Sequence, residues 1–123
     1  MFSHATVTSA DGLDITVDHG DAVTVVRLRG RLSIDSSPGL RDHLLAMLRE
    51  QSPKTVIVDL AGVSYIDASG VATLLEAFKV QRNRQGTLCL KGLEGRLVRL
   101  FEVTGLLALF ESGCKSTSTV EVS

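Results

Sequence analysis

The sequence predicts an α/β fold: a mixed, mostly parallel sheet of four to five strands, with elements in the order β-β-α-β-α-β-α-β. Three observations predict it. The segment Thr55 to Leu60 ("TVIVDL") is a nearly continuous apolar run rich in β-branched residues, the pattern of a strand buried on both faces, as in a parallel sheet. The runs on either side of it carry apolar residues at helical spacing. A chain of 123 residues is the size of one domain and can bury one sizeable core. Strands alternating with helices then imply right-handed crossovers between parallel strands.

The elements follow in order. Residues 1–12 read as an N-terminal extension to a single domain over 1–112, and residues 113–123 as a flexible tail rich in Ser and Thr, although "TVEV" could pair weakly. Leu13 to Val17 ("LDITV") alternates and is a strand; His19-Gly20-Asp21 is a turn; Ala22 to Leu28 ("AVTVVRL") is a second strand, so the pair forms a hairpin. Asp35-Ser36-Ser37-Pro38 starts a helix, with Ser37 as the cap and Pro38 at the first helical position, running to about Glu50 with Leu40, Leu44, Met47 and Leu48 inward. After the strand Thr55 to Leu60, a second helix runs from about Gly70 to Arg84 and buries Val71, Leu74, Leu75 and Phe78. Thr87 to Leu90 is the next strand. A third helix follows with Leu97, Leu100 and Phe101 inward and Gly105 placed to end it, and Leu107 to Phe110 reads as a last short edge strand.

Composition narrows the function. The net charge is −1, so no basic excess drives binding to nucleic acid or an anionic membrane surface. There is no Trp and few aromatics, which disfavours base stacking. His4, His19 and His43 are scattered, and two cysteines, Cys89 and Cys114, are too few for a disulfide framework or a Cys-rich zinc site, so neither metal nor cofactor is expected. Cys89 sits in an apolar strand, where a buried inert thiol is the common case; a redox-regulated pairing with Cys114 rests on nothing beyond the presence of both. No secretory signal and no membrane-length apolar run is visible, and the default expectation is a soluble cytoplasmic protein.

The segment Tyr65 to Val71 ("YIDASGV") lies where a strand feeds a helix, at the carboxyl end of the sheet, where sites gather in such folds. A hydrolase elbow would need Gly two residues before Ser69, and Asp67 stands there. No glycine-rich phosphate loop is present. Taken alone, the segment is most simply a helix start capped by Asp67 or Ser69.

The ordered set Asp59-Leu60, Asp67-x-Ser69-Gly70 and Leu100-Phe101 with Gly105-Leu106 resembles the STAS domain, and more closely the bacterial anti-anti-sigma factors, or anti-sigma factor antagonists. The resemblance covers roughly Leu13 to Phe110. It implies a protein that is not an enzyme. Such a protein binds a cytosolic anti-sigma factor, usually also a Ser/Thr kinase, and so frees a sigma factor. The kinase inactivates it by phosphorylating the loop before the second helix, and a PP2C-type phosphatase restores it. The other role that the resemblance implies is an accessory subunit of a transporter or signalling assembly; a homodimer is compatible with either.

In that family the phosphorylated residue directly follows the loop Asp, and here that position is Ala68, which has no hydroxyl. Ser69 stands one residue on, turned by about 100° at a helix start. Three explanations stay open: Ser69 is the acceptor, the protein is permanently competent to bind, or Ala68 is an engineered substitution. Ser69 is the candidate acceptor. The candidate partner surface is Asp67, Ala68, Ser69 and Gly70, with Thr73 and Glu76 expected to point outward from the second helix. Arg31 and Asp35 join it from the segment Gly30 to Ser36. Asp59 is expected either to support the switch loop or to bond backbone N–H groups at its strand end.

Overall fold

The computed structural model describes residues 5–113. Five strands and four helices follow in the order β1 (Ala5–Ala10), β2 (Leu13–His19), β3 (Val23–Leu32), α1 (Ser37–Gln51), β4 (Thr55–Ile66), α2 (Ala68–Asn83), β5 (Thr87–Lys91), α3 (Arg96–Val103) and α4 (Leu106–Gly113). The α/β class and the mixed five-stranded sheet are as expected. The sheet order is β1-β2-β3-β4-β5. β1 to β3 pair antiparallel, and β3 to β5 pair parallel. The sheet is therefore half parallel rather than mostly so. The difference arises from β1: Ala5–Ala10 lies in the segment read as an extension, yet it pairs with β2 across a turn in which Asp11 and Gly12 both have positive φ.

β3–α1–β4 and β4–α2–β5 are successive crossovers in one direction. With right-handed connections both helices cover the same face of the sheet. That face holds the core: Leu13 and Ile15 from β2, Val26, Leu28 and Leu32 from β3, Val56, Val58 and Leu60 from β4, with Leu40, Leu44 and Leu48 from α1 and Leu74 and Phe78 from α2. In β4 the alternate residues Thr55, Ile57 and Asp59 are only half-buried, so the run Thr55 to Leu60 is not buried on both faces as expected. The helices lie over one side alone, and the run's β-branched residues serve strand formation rather than double burial.

Several boundaries move: β3, expected to end at Leu28, runs to Leu32, α2 begins at Ala68, and three others move for local reasons. β4 continues to Ile66, where the sequence suggested a loop. Against β3 it carries two irregularities, between the pairs Arg27–Asp59 and Arg29–Gly62 and between Gly30–Val63 and Arg31–Tyr65. Each inserts a residue, so its buried positions Leu60, Val63 and Ile66 fall three apart, a spacing that matches neither a plain strand nor a helix. α1 begins at Ser37 rather than after it, and the expected Ser37 cap is not made. The Ser37 hydroxyl instead donates to the Ser33 carbonyl (2.6 Å). The last edge strand is a helix: Leu107 to Phe110 lie within α4, which sets the Phe110 ring edge-on to Phe78 (5.0 Å) and Phe101 (5.9 Å). A four-residue apolar run cannot by itself tell a strand from a buried turn of helix.

Among the described residues no helix is long and apolar enough to cross a membrane. Cys89 is buried in β5. Cys114 and most of the expected tail lie outside the described residues, and so does any pairing between the two cysteines.

Candidate functional site

The parallel strands β3 and β4 end side by side, with Leu32 paired to Ile66. The chain leaves β3 through the turn Ser33–Ser36 into α1, and leaves β4 through Asp67 into α2. These two exits form one surface at the carboxyl end of the sheet.

Asp67 holds the exits together. Its backbone is extended, its N–H donates to the Leu32 carbonyl (3.2 Å), and its own carbonyl accepts the first helical bond from Val71 N–H (3.0 Å). Its side chain caps α2: Oδ1 accepts from the N–H of Ser69 (3.0 Å) and of Gly70 (3.2 Å). A carboxylate there also meets the positive end of the helix dipole. The remaining oxygen, Oδ2, accepts from Ile34 N–H (3.0 Å) in the β3–α1 turn.

Serines shape that turn. The Ser36 hydroxyl accepts from Ser33 N–H (3.0 Å) and donates to the Arg31 carbonyl (2.7 Å). The Ser33 hydroxyl accepts from Asp35 N–H (3.3 Å). Ser33, Ser36 and Ser37 are buried, and Ile34 is left 68 % exposed at the tip. Beside it the Arg31 guanidinium lies over the Tyr65 ring, 4.1 Å from its centre, and Tyr65 is 39 % exposed. Ala68 is exposed and Ser69 half-buried.

The structure thus brings together Asp67, Ala68, Ser69, Arg31 and Asp35. Gly70 belongs to the site as a spacer: it is buried, and a β-carbon there would meet Leu32 and Ile66. Thr73 departs from expectation, and two further residues are placed as follows. Thr73 is 7 % exposed and faces inward, not outward, because α2 buries Gly70, Thr73, Leu74 and Ala77 on one stripe. Glu76 reaches across to α1, where its two oxygens take Arg41 Nε (2.8 Å) and Nη2 (2.9 Å). That hydrogen-bonded pair lowers the Glu76 pKa and raises that of Arg41. Of the two roles expected for Asp59, the structure shows the backbone-bonding one rather than support of the loop. Asp59 pairs in register with Arg27, away from the Leu32–Ile66 end, and its carboxylate accepts from Ala61 N–H (3.0 Å) at the first irregularity of β4.

Two residues of this surface, Ile34 and Tyr65, were missed by sequence reasoning. The signal for Ile34 was an aliphatic residue in an otherwise polar helix start, and for Tyr65 the lone tyrosine of the chain beside the motif.

Comparison with known proteins places the chain in a family and agrees with the fold. The model of the STAS domain family matches residues 14–121. An anti-sigma-B factor antagonist of Bacillus subtilis is 28 % identical over 109 residues, covering 89 % of this chain and 98 % of the relative. Among solved structures, an anti-sigma-factor antagonist (STAS) domain protein from Planctomyces limnophilus superposes with a TM-score of 0.70 at 25 % identity, over 78 % of this chain and 86 % of that one. A sulfate transporter family protein from Wolinella succinogenes is similar too, with a TM-score of 0.63 at 26 % identity over 74 % and 73 %.

Proposed function

This chain belongs to the STAS domain family, and on that premise we propose that it is an anti-sigma factor antagonist that works by binding rather than by catalysis. Its partner is a cytosolic anti-sigma factor with Ser/Thr kinase activity, whose capture releases a sigma factor. The surface at the carboxyl ends of β3 and β4 is where the partner docks. The observation that carries this reading is an exposed aliphatic residue, Ile34, whose backbone N–H is bonded to Asp67, the residue before exposed Ala68. An apolar tip with a polar surround is the arrangement expected of a binding anchor.

Ser69 is the candidate phosphoacceptor, with a PP2C-type phosphatase as the reversing enzyme. A phosphoryl group there adds about −1.5 to −2 charges within the docking surface while leaving the core untouched. A pull-down from the native cell, repeated with Ser69→Glu, tests both parts. An anti-sigma factor retained by the wild type and lost by the variant supports the reading. Incubation with that kinase and ATP gives a phosphopeptide at Ser69; an unmodified chain that still binds tightly would mean that Ala68 leaves the protein permanently competent.

The second reading, an accessory subunit of a transporter, draws on the similarity to the transporter family protein. Retention of a transporter component in place of an anti-sigma factor would decide for it.

A further inference from the structure

A helix cap needs one acceptor atom, and Asn, Ser or Thr would supply it. Asp67 supplies two. The second oxygen goes to Ile34 N–H, 33 residues earlier in the chain. That amide lies on an exposed turn where water would serve it as well, so the bond is not required by burial. Its effect is positional. Ser33 and Ser36 fix the flanks of the turn, while the Ile34 amide is held by Asp67 alone among the described residues. Ile34 is β-branched, with a stiff χ1, so fixing its backbone fixes the direction of its side chain.

We propose that Asp67 is the positioning residue of the docking surface: one carboxylate sets the pose of Ile34 for an apolar socket on the anti-sigma factor, and phosphorylation of Ser69 undoes that pose. The proposal rests on the functional reading above. Holding an anchor in its bound conformation reduces the ordering cost of association. The coupling to Ser69 follows from shared donors, because Asp67 Oδ1 is bonded to the N–H of Ser69 itself and to that of Gly70. In the modification, Ser69 Oγ forms a bond to the γ-phosphorus of a nucleoside triphosphate. The bond to the bridging oxygen breaks, the nucleoside diphosphate leaves, and the hydroxyl proton passes to the kinase's base. The new dianion then competes for the same helix N–H groups and repels the adjacent carboxylate. Asp67 is displaced from its cap, and Ile34 N–H is released with it.

Asp67→Asn separates the two bonds. Asn has a single acceptor oxygen, and that oxygen stays on the helix because the other orientation would aim amide donors at the helix N–H groups. In the ¹⁵N-labelled full chain, this variant should move the Ile34 amide resonance and speed its exchange by about tenfold. The Ser69 and Gly70 amides should hold, the melting temperature should stay near that of the wild type, and affinity for the anti-sigma factor should fall. Phosphoserine installed at position 69 by encoded incorporation should move all three amides together. An Ile34 amide that is indifferent to Asp67→Asn or to the phosphoserine overturns the proposal. So does an Asp67→Asn chain whose Ile34 amide is freed but whose affinity is unchanged. Encoded phosphoserine needs no kinase, so a Ser69 that no kinase modifies would sink the regulatory reading and leave this test intact.

Discussion

Gly70 lies so close to Leu32 that a β-carbon on it would fall 2.6 Å from Leu32 Cγ and 2.8 Å from the Leu32 carbonyl oxygen. The first turn of α2 is therefore seated directly on the end of β3, which is what brings Asp67 within reach of Ile34. In a free helix, Gly→Ala would gain about 1 kcal/mol. Here the obstacle includes a backbone oxygen, and overpacking of this kind costs about 1–3 kcal/mol. Gly70→Ala should lower the denaturation midpoint. A midpoint that rises would show that the end of β3 gives way freely.

Ile34 faces solvent, so its removal tests docking apart from folding. Ile34→Ala should leave stability within about 0.5 kcal/mol, as for surface changes generally. Calorimetric titration against the captured anti-sigma factor should show affinity lower by at least about tenfold, the scale of an interface anchor. Equal affinity would remove Ile34 from the surface.

The Arg31–Tyr65 stack is exposed and should matter less. An exposed pair of this kind contributes about 0.5–1 kcal/mol. Arg31→Ala should accordingly weaken partner binding only a few-fold in the same titration, with a smaller effect than Ile34→Ala. The reverse ranking would place the centre of the interface on Arg31.

The Arg41–Glu76 pair ties α1 to α2 and makes a prediction in acid. The hydrogen bonds from Arg41 lower the Glu76 pKa below its ordinary value near 4.5. The pair's contribution is thus fully present above that value and is lost as pH falls through the lower, folded-state pKa. Arg41 stays charged across this window. Urea melts of wild type and Glu76→Gln should differ by a small, constant amount from neutral pH to about pH 5, and converge below it. Salt should shrink the gap, because both side chains are substantially exposed.

At the opposite end of the sheet, Gln81 is fully buried, and its Nε2 donates to the carbonyls of Pro53 (2.8 Å), Lys54 (3.2 Å) and Thr87 (3.3 Å). It joins α2 to the starts of β4 and β5. Gln81→Leu fills the space but removes the donor from the part-buried Pro53 and Thr87 carbonyls, while Lys54 keeps its bond from Thr87 N–H, a loss of about 1 kcal/mol in urea unfolding. Docking measured well below the melting temperature should be unaffected, since the site lies at the other end of the strands.

How much of this was legible in the sequence depended on what each signal measures. Apolar spacing located α1, α2 and β5 well, because burial against one face is what spacing reports. It failed for β4 beyond Leu60, where inserted residues break the alternation, and for Leu107 to Phe110, where the run is too short to show a period. The Asp67 cap was readable from residue type and position. Its second bond was not, because the Ile34 amide is brought there only by the pairing of β3 with β4. Thr73 was read as pointing outward, although its position on the Gly70–Leu74–Ala77 stripe of α2 turns it inward. Glu76 was read as facing outward, but its pairing with Arg41 was not legible, because Arg41 lies on another helix.

The sheet order has a further consequence. Each strand lies beside the one made just before it, so the sheet can grow in the order of synthesis without waiting for a distant segment. Leu32, Ile34, Asp67 and Gly70 all precede α3 and α4 in the chain. The candidate docking surface is thus encoded in the first two-thirds of the chain, and the closing helices add Phe101 and Phe110 to the core beneath α2.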